Sequence, residues 1–350
     1  MSLPSSQLGV FIKSSDPTYT VERHPVPSPG SGEALIKIEA VAINQTDWKI
    51  VVFGGAQPGN GSGNDFVGRI VALGPGVHDV TVGDRVAGWV HAAFDKAHFS
   101  FQEYLATRSD LLIKVPSNLS DEDAASIPVG ATTALLGLSR LFDFPQRAPL
   151  GKTILVCGGA SSVGMYVCQL ASIAGLRVIS TASSHHFDVV LSFGASSVID
   201  YHASDALQQI LHEAGPGGVD YVFDAISFGD SINLANEVLK SKIGGLRRAA
   251  VVLPVPPTSL DPLVEYHAIG IQTIWDKPYE FLGVNIPAMP RDLATAKAVY
   301  RALSHWLERG TFKAGPVTLG SGGLHGIPEG IALVKAGKIS ASKLVYRIAA

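Results

Sequence analysis

Hydrophobic and polar positions follow two different rhythms along the chain. From residue 8 to about residue 125 the apolar positions come in short runs broken by glycine corners. Ala34-Leu35-Ile36-Lys37-Ile38-Glu39-Ala40 alternates as a half-buried strand does. Phe66 to Leu73 is a second strand, closed by the turn Gly74-Pro75-Gly76. Val80 to Val82 lead into Gly83-Asp84-Arg85-Val86-Ala87-Gly88, and Gln102-Glu103-Tyr104-Leu105-Ala106 follows. These runs predict a β-rich unit shaped as a compact, partly open barrel.

The rhythm changes at Asp121. Ser120 is placed to cap a helix whose first turn, Asp121-Glu122-Asp123, carries the acids that a helix dipole favours. Ala131 to Phe142 is helical and apolar on most sides, hence buried. From Lys152 strands and helices alternate. The expected strands are Ile154–Cys157, Arg177–Thr181, Ser197–Ile199, Tyr221–Asp224 and Ala249–Leu253; the helices are Ser162–Ala174, Ala203–Ala214 and Ile232–Leu239. That order implies a parallel sheet with helices on both faces. Ile269 to Ile274 is expected as a further strand at the sheet edge, after a proline-rich loop over Pro254–Pro262. Asp292 to Arg309 reads as a long amphipathic helix, and Gly330–Ala336 with Lys343–Ile348 as a helix end and a strand. The last strand has no evident neighbour in the alternating region. It is expected to return to the first domain, which then comprises residues 1–125 and 290–350, with residues 126–289 between them.

The candidate chemistry begins where a strand meets a helix. Thr153-Ile154-Leu155-Val156 stops in Cys157-Gly158-Gly159-Ala160-Ser161-Ser162-Val163-Gly164, and helical spacing resumes at Val163, Val167, Leu170 and Ala174. Strand, tight glycine turn and helix aim backbone N–H groups and a helix N-terminus at a pyrophosphate. Counted from Gly159 the spacing is G-x-S-x-x-G, with Ser161 at the middle position. A sheet that prefers NAD places an acid after the next strand, for the ribose hydroxyls. That place reads Ser180-Thr181-Ala182-Ser183-Ser184-His185-His186, without an acid. Hydroxyls and a protonated imidazole suit a 2′-phosphate, so NADPH is the expected cofactor; Ser184 as a plain cap for a helix starting near Phe187 is compatible with this.

Composition narrows the classes. The chain has 350 residues, 46% hydrophobic and 16% charged, enough for two well-buried domains. A net charge of −3 without a Lys/Arg run gives no footprint for nucleic acid. No stretch reaches the length of a membrane span, and Met1 to Lys13 lacks the pattern of a signal peptide, so a cytoplasmic protein is expected. The two cysteines, Cys157 and Cys168, flank the glycine turn and read as buried inert thiols; they can build neither a disulfide framework nor a metal cluster.

Taken together, several segments resemble the medium-chain dehydrogenase/reductase superfamily over nearly the whole chain. They are Asn44-Gln45-Thr46-Asp47-Trp48-Lys49, Gly63-Asn64-Asp65-Phe66-Val67-Gly68, Gly83 to Gly88, Pro128-Val129-Gly130-Ala131-Thr132-Thr133-Ala134 and Gly337 to Val345. The resemblance implies a Rossmann doubly wound parallel sheet plus a GroES-like β-rich domain. Zinc-dependent members carry a Cys where Asn44 or Gln45 stands and a His-Glu pair where Asn64-Asp65 stands, together with a cysteine-rich lobe that this chain lacks. No metal is therefore expected, and without a Lewis acid the reduction of an activated double bond fits better than alcohol oxidation.

Within the superfamily, Asp47-Trp48-Lys49 and Ser183 to Asp188 are similar to the zinc-free branch: the fungal trans-acting enoyl reductases that serve polyketide synthases, and quinone oxidoreductases. The likeness implies an NADPH site lined by Thr46, Asp47, Trp48, Lys49, Gly159, Ala160, Ser161, Ser162, Val163, Ser183, Ser184, His185, His186, Tyr201, Leu253, Ile339 and Ser340. It implies Lys49 and Thr133 at the chemistry and Ala134, Leu138, Leu141 and Leu282 beside the substrate. Where His186 falls, many quinone reductases have a lysine, so weaker or pH-dependent NADPH binding is expected.

The implied reaction passes a hydride to the β-carbon of an α,β-unsaturated carbonyl or thioester, stabilises the enolate oxygen and delivers a proton to the α-carbon. Lys49 either supports that oxygen or tethers a cofactor ribose, and Thr133 either orients a carbonyl or is an ordinary buried threonine. Tyr201 either meets the adenine end or packs. His91, His98 and His325 read as solvated or structural, and Trp48 and Trp89 as core or tunnel wall. The leading function is an NADPH-dependent enoyl reductase in polyketide biosynthesis whose substrate is a small molecule or is tethered to a carrier protein. A quinone or alkenal reductase shares every motif, and a non-redox NADP-binding scaffold or cyclase is the alternative from another class. An exposed edge strand at Ile269–Ile274 permits dimers, but its proline-rich approach and the fungal resemblance point to a monomer.

Overall fold

The computed structural model describes residues 3–14, 18–92, 97–242, 244–254, 261–281 and 283–348. The chain divides into two compact units, Met1–Val129 with Gln272–Ala350, and Gly130–Ile271. Leu282 and most of the expected loop at Pro254–Pro262 lie outside the described residues.

The first unit opens with β1 (Ser6–Ser14), β2 (Thr18–Pro25), β3 (Glu33–Ala42), α1 (Gln45–Val52), β4 (Asp65–Leu73), β5 (Arg85–Trp89), β6 (Tyr104–Arg108), β7 (Ile113–Lys114) and α2 (Asp121–Ser126). Helix α3 (Pro128–Leu141) leads into the second unit. That unit holds β8 (Thr153–Cys157), α4 (Ser162–Ile173), β9 (Arg177–Ala182), α5 (Phe187–Ser192), β10 (Ser197–Asp200), α6 (Ala206–Ala214), β11 (Tyr221–Asp224), α7 (Asp230–Lys240), β12 (Arg247–Val251) and β13 (Val264–Ala268). The chain then returns to the first unit through β14 (Tyr279–Phe281), β15 (Val284–Ile286), α8 (Pro290–Glu308), β16 (Val317–Leu319), α9 (Ile327–Lys335) and β17 (Lys343–Arg347).

In the first unit, the open order β16-β17-β3-β4-β5-β7, with β6 also on β3, makes a seven-stranded sheet; no barrel closes among the described strands. Two register shifts in β3 against β4, at Leu35/Ile36 and Ile38/Ala40, let one long strand serve β4, β6 and β17. Ile36, Ile38, Phe66, Phe101, Leu105 and Tyr346 fill its core. The last strand, β17, pairs antiparallel with β3, Val345 opposite Ala42. Ser120 caps α2 by accepting from the Asp123 N–H. Arg85, from the Gly83-Asp84-Arg85 corner, binds Asp121 through Nε at 3.1 Å and Nη2 at 2.5 Å and so fastens that helix start to β5.

The second unit is a six-stranded parallel sheet in the order β10-β9-β8-β11-β12-β13. Chain order reverses between β8 and β11, which makes that gap the topological switch point. At the sheet edge the structure corrects the expectation. The edge strand is β13, and Ile271–Trp275, overlapping the run expected as a strand, is a turn of 3₁₀ helix. Val264-Glu265-Tyr266-His267-Ala268 is polar because it is an edge strand, and Glu265 is held across it by Arg248 at 2.9 Å. Residues Ile271–Ile274 therefore offer no strand edge for a dimer. Among the described residues, no helix is long and apolar enough to cross a membrane.

Helix α3 is packed so closely that Gly137 has no room for a side chain. A Cβ there would lie 2.2 Å from Phe223 Cε2 and 2.7 Å from Ile269 Cδ1. Gly137→Ala gains roughly 1 kcal/mol in helix propensity. The clash with the fully buried Phe223 ring costs about 1–3 kcal/mol. The net outcome expected is destabilisation, read as a lower urea midpoint at an unchanged m-value.

Candidate cofactor and active site

The glycine turn lies at the carboxyl end of β8, beside the switch point. Gly158 has φ +76°, a conformation that a side chain resists. A Cβ on Gly164 would lie 2.2 Å from the Gly158 carbonyl oxygen, so this glycine lets α4 start directly against the turn. Ser161 is the N-cap of α4: its Oγ accepts from the Gly164 N–H at 3.0 Å. The N–H groups of the first helical turn have no partner inside the helix, which is the basis for anion binding there. Ser161, Ser162 and Val163 are all half-buried. Both cysteines are buried, and burial pushes the Cys168 thiol up to about 12 and Cys157 well up, as suits inert thiols.

Sequence reasoning missed the wall on the other side of the switch point. After β11 the buried Asp224 accepts from the N–H groups of Ile226 and Ser227, both at 2.9 Å, and from Ser231 Oγ at 2.8 Å. Ser227, at φ +51°, accepts from the Val252 N–H at 2.9 Å. This pinned loop lays Ile226 over Gly158, where a Cβ would come within 2.5 Å of it, and leaves Phe228 78% exposed. Asp-x-x-Ser beginning at the last residue of a strand, the local side-chain turn signal, could have found it.

The residues expected at the 2′-phosphate come together. Ala182 and Asp200 are partners in the β9–β10 register, so Ser183 and Tyr201 emerge side by side. Ser183 Oγ donates to Tyr201 Oη at 3.2 Å. Ser184 and His185 are exposed and His186 is half-buried, with its ring 4.0 Å from that of His185. Leu253 is half-buried just past β12, at the same edge of the sheet. Thr133 is 8% exposed in α3. Ala134, Leu138 and Leu141, the side chains expected beside the substrate, are wholly buried.

In the first unit, Thr46, Asp47, Trp48 and Lys49 form the start of α1, a helix that the strand-and-loop reading missed. The signal was an Asn44–Asp47 cap pair. Asp47 Oδ2 accepts from the Asn44 N–H at 2.6 Å, and Asp47 Oδ1 accepts from Asn64 Nδ2. Asn44 Nδ2 donates to Asp65 Oδ2 at 2.9 Å, and the Val129 N–H to Asp65 Oδ1 at 2.7 Å. Lys343, at the start of β17, donates to Asn44 Oδ1 and pairs with Asp65 Oδ2 at 3.2 Å. Asn44, Asp47, Asn64, Asp65 and Lys343 are all buried. Burial pushes the Asp47 carboxyl up to about 7, against its hydrogen bonds from Asn44 and Asn64, and pushes Asp65 up against the Lys343 ammonium. Lys49 is half-buried, its Nζ 5.8 Å from the Trp48 ring centre, and desolvation holds it below the usual lysine range. Ile339 is half-buried and Ser340 exposed, just before β17.

The remaining assignments are structural. His91 is bonded to Gln272 at 2.9 Å and burial pulls it down to about 3; His98 meets Glu33 at 3.4 Å. His325 is in a 3₁₀ turn. Trp89 is core, donating to Tyr300 Oη at 3.0 Å, and Trp48 packs against the core of its unit.

Comparison with known proteins agrees with this geometry. The alcohol dehydrogenase GroES-like domain model matches residues 30–117 and the zinc-binding dehydrogenase model residues 162–263. A zinc-type alcohol dehydrogenase-like protein of Schizosaccharomyces pombe is 34% identical, covering 93% of this chain and 94% of its own. A trans-enoyl reductase of Penicillium crustosum is 31% identical over 99% of this chain and 98% of its own. The crystal structure of an alcohol dehydrogenase superfamily protein from Novosphingobium aromaticivorans superposes with a TM-score of 0.80 at 21% identity, covering 98% and 100%. The chain belongs to the medium-chain dehydrogenase/reductase superfamily. It is an oxidoreductase of that superfamily, whose fold supports a nicotinamide cofactor.

The superfamily includes zinc enzymes, so the fit of a metal must be judged on the donors. Among the described residues, no three His, Cys, Asp or Glu side chains gather around a common point. Asp47 and Asp65 already accept from two amides, two backbone N–H groups and an ammonium. That donor set does not fit zinc, which asks for about three thiolate, imidazole or carboxylate ligands.

Two outcomes follow from the cluster. Lys343→Met leaves a buried carboxylate without its cation and is expected to destabilise by about 3–5 kcal/mol, with Asp65→Asn in the same chain recovering much of the loss; chemical denaturation of the four-member cycle measures this. Asp47, raised to about 7 in the folded protein from an ordinary carboxylate value, holds a proton that the unfolded chain has lost. Its contribution to stability is complete below about pH 4 and is lost as pH rises through about 7. Asp47→Asn should therefore flatten the fall in unfolding free energy over that window.

Proposed function

We propose that this superfamily member is an NADPH-dependent, zinc-independent enoyl reductase acting on a conjugated acyl substrate. The observation that carries the reading is the donor set around Asn44 and Asp65. It supplies amides and an ammonium where a zinc enzyme needs metal ligands, in a chain similar over its whole length to a trans-enoyl reductase. When bound, NADPH supplies a hydride to the β-carbon of the unsaturated thioester.

The chain's own residues have the following parts. The turn Gly159-Ala160-Ser161-Ser162-Val163 and the N-terminus of α4 take the pyrophosphate. Ser183 to His186 and Tyr201 take the 2′-phosphate, where no carboxylate follows β9 to repel it. Leu253, Ile339, Ser340 and Thr46 to Trp48 hold the rest of the dinucleotide. Lys49 stabilises the negative charge that develops on the carbonyl oxygen; its partial desolvation strengthens that attraction. Thr133 orients the carbonyl. A carrier-tethered substrate, with a polyketide synthase as the source of the carrier, fits the same likeness, and a monomer needs no edge strand.

The reading is tested by following NADPH absorbance with an enoyl thioester, with a quinone, and with neither. Oxidation by the thioester is expected; oxidation by the quinone alone overturns the enoyl assignment. Lys49→Met should lower kcat by about 10²–10³ with a smaller change in KM for NADPH. A rise in that KM at unchanged kcat would reduce Lys49 to a tether.

A further inference from the structure

The second unit has an unusual distribution of charge. From residue 178 to residue 239 the sequence contains no lysine or arginine. Lys152, Arg177, Lys242, Arg247 and Arg248 stand at or just before the amino ends of the parallel strands, the edge opposite the glycine turn. At the carboxyl ends of β9 and β10 the groups able to carry positive charge are imidazoles. His185 and His186 follow β9 with their rings 4.0 Å apart and tilted by 53°, and His202 follows β10, its ring 4.1 Å from that of Tyr201. The Ser183–Tyr201 hydrogen bond joins the two groups, and Asp200 Oδ1 fixes the second turn by accepting from the His202 N–H at 2.9 Å. His202 was not among the residues expected from the sequence.

We propose that His185, His186 and His202 together form the 2′-phosphate subsite, so that the choice of NADPH over NADH is made by protons taken up on these imidazoles rather than by a fixed cation. This deepens the NADPH reading above and rests on it.

The surroundings leave that work to protons. Asp188 in the first turn of α5, Asp200 at the end of β10 and Asp205 at the start of α6 are the acids around the cluster, and Asp205 is engaged by Gln209 at 2.8 Å. Helix α4, packed on β9, carries no charged side chain; the Arg177–Glu213 ion pair is at the amino end of β9. With the imidazoles neutral, a phosphate dianion would therefore meet hydroxyls but no cation at this end of the second unit. With one or two of them protonated, it meets charge-assisted donors beside the Ser183, Ser184 and Tyr201 hydroxyls. Partial burial and the neighbouring His185 ring hold His186 below the usual imidazole range, so it enters the complex uncharged near neutrality and gains its proton on binding.

Each proton taken up changes affinity by as much as about tenfold per pH unit. The test is equilibrium binding of NADPH and of NADH to the enzyme without substrate, followed by cofactor fluorescence or calorimetry, from about pH 6.5 to about pH 8, above the second ionisation of a phosphate monoester near pH 6. The Kd for NADPH is expected to rise about tenfold or more across that range, while the Kd for NADH changes less than about twofold. His186→Lys supplies a fixed cation and should flatten the NADPH profile at its tight end. His202→Gln should weaken NADPH by roughly three- to tenfold at the acid end and leave NADH unchanged, which also reports that the variant is folded. A flat profile with NADPH still preferred overturns the imidazole subsite alone. Equal affinity for both dinucleotides at every pH overturns the NADPH reading with it. Unchanged NADPH binding in His202→Gln removes that residue from the subsite.

Discussion

One buried ion pair organises the first unit. Lys343 and Asp65 meet at 3.2 Å, with the acid fully buried, and neither could stay charged there alone. The pair is tolerable because polar neighbours are aimed at both of its members. Asn44 gives its amide to Asp65 and its carbonyl to Lys343, and the Val129 N–H closes on the second oxygen of Asp65. Residues 44, 65, 129 and 343 come from four distant parts of the chain, so the network can form only when the start of α1, the start of β4, the start of α3 and the start of β17 have all arrived. It is weak evidence for extra stability but a strong constraint on register. A slip of β17 by one residue would turn Lys343 to the other face of the sheet and leave Asp65 bare.

The constraint reaches the proposed chemistry through α1. Asn44 precedes the helix and Asp47 lies within its first turn, so the direction of the turn carrying Lys49 is set by buried side chains bonded to one another. The second unit solves the same problem with backbone. Asp224 gathers two N–H groups and a hydroxyl, holds Ser227 in a left-handed conformation, and thereby fixes Ile226 against the glycine turn. In both units an acid that could be mistaken for a catalytic group is spent on holding a segment in place. Position and solvent access separate the two kinds: Asp47, Asp65 and Asp224 are buried among their donors, whereas Lys49, Ser184 and His185 keep surface.

The alternating half of the chain was legible because its hydrophobic period changes sharply at each element, and the expected β11 coincides with the strand Tyr221–Asp224. The edge was not. An outermost parallel strand is covered on one side only, so β13 can carry Glu265 and His267, while the more apolar run that follows it folds into a 3₁₀ turn. Helix α1 was hidden by its composition: Ile50, Val51 and Val52 favour strands, and capping and tertiary packing override them. The glycine turn and the hydroxyl-imidazole segment were readable because each is contiguous in sequence. Lys343 was seen as part of a motif but not as a partner of Asp65, since a pair separated by almost the whole chain leaves no local trace.

Ser161 shows why a fingerprint with its middle glycine replaced can still be a dinucleotide turn. A glycine at that position is needed when backbone must approach the pyrophosphate without a side chain between them. Here the side chain turns inward and accepts from the Gly164 N–H, so the serine serves as a cap and its hydroxyl is taken up by the helix. The demand for a missing Cβ passes to Gly158 and Gly164, where one bends the backbone and the other lets the helix touch it. The spacing of the motif is thus conserved by geometry while its residues are reassigned.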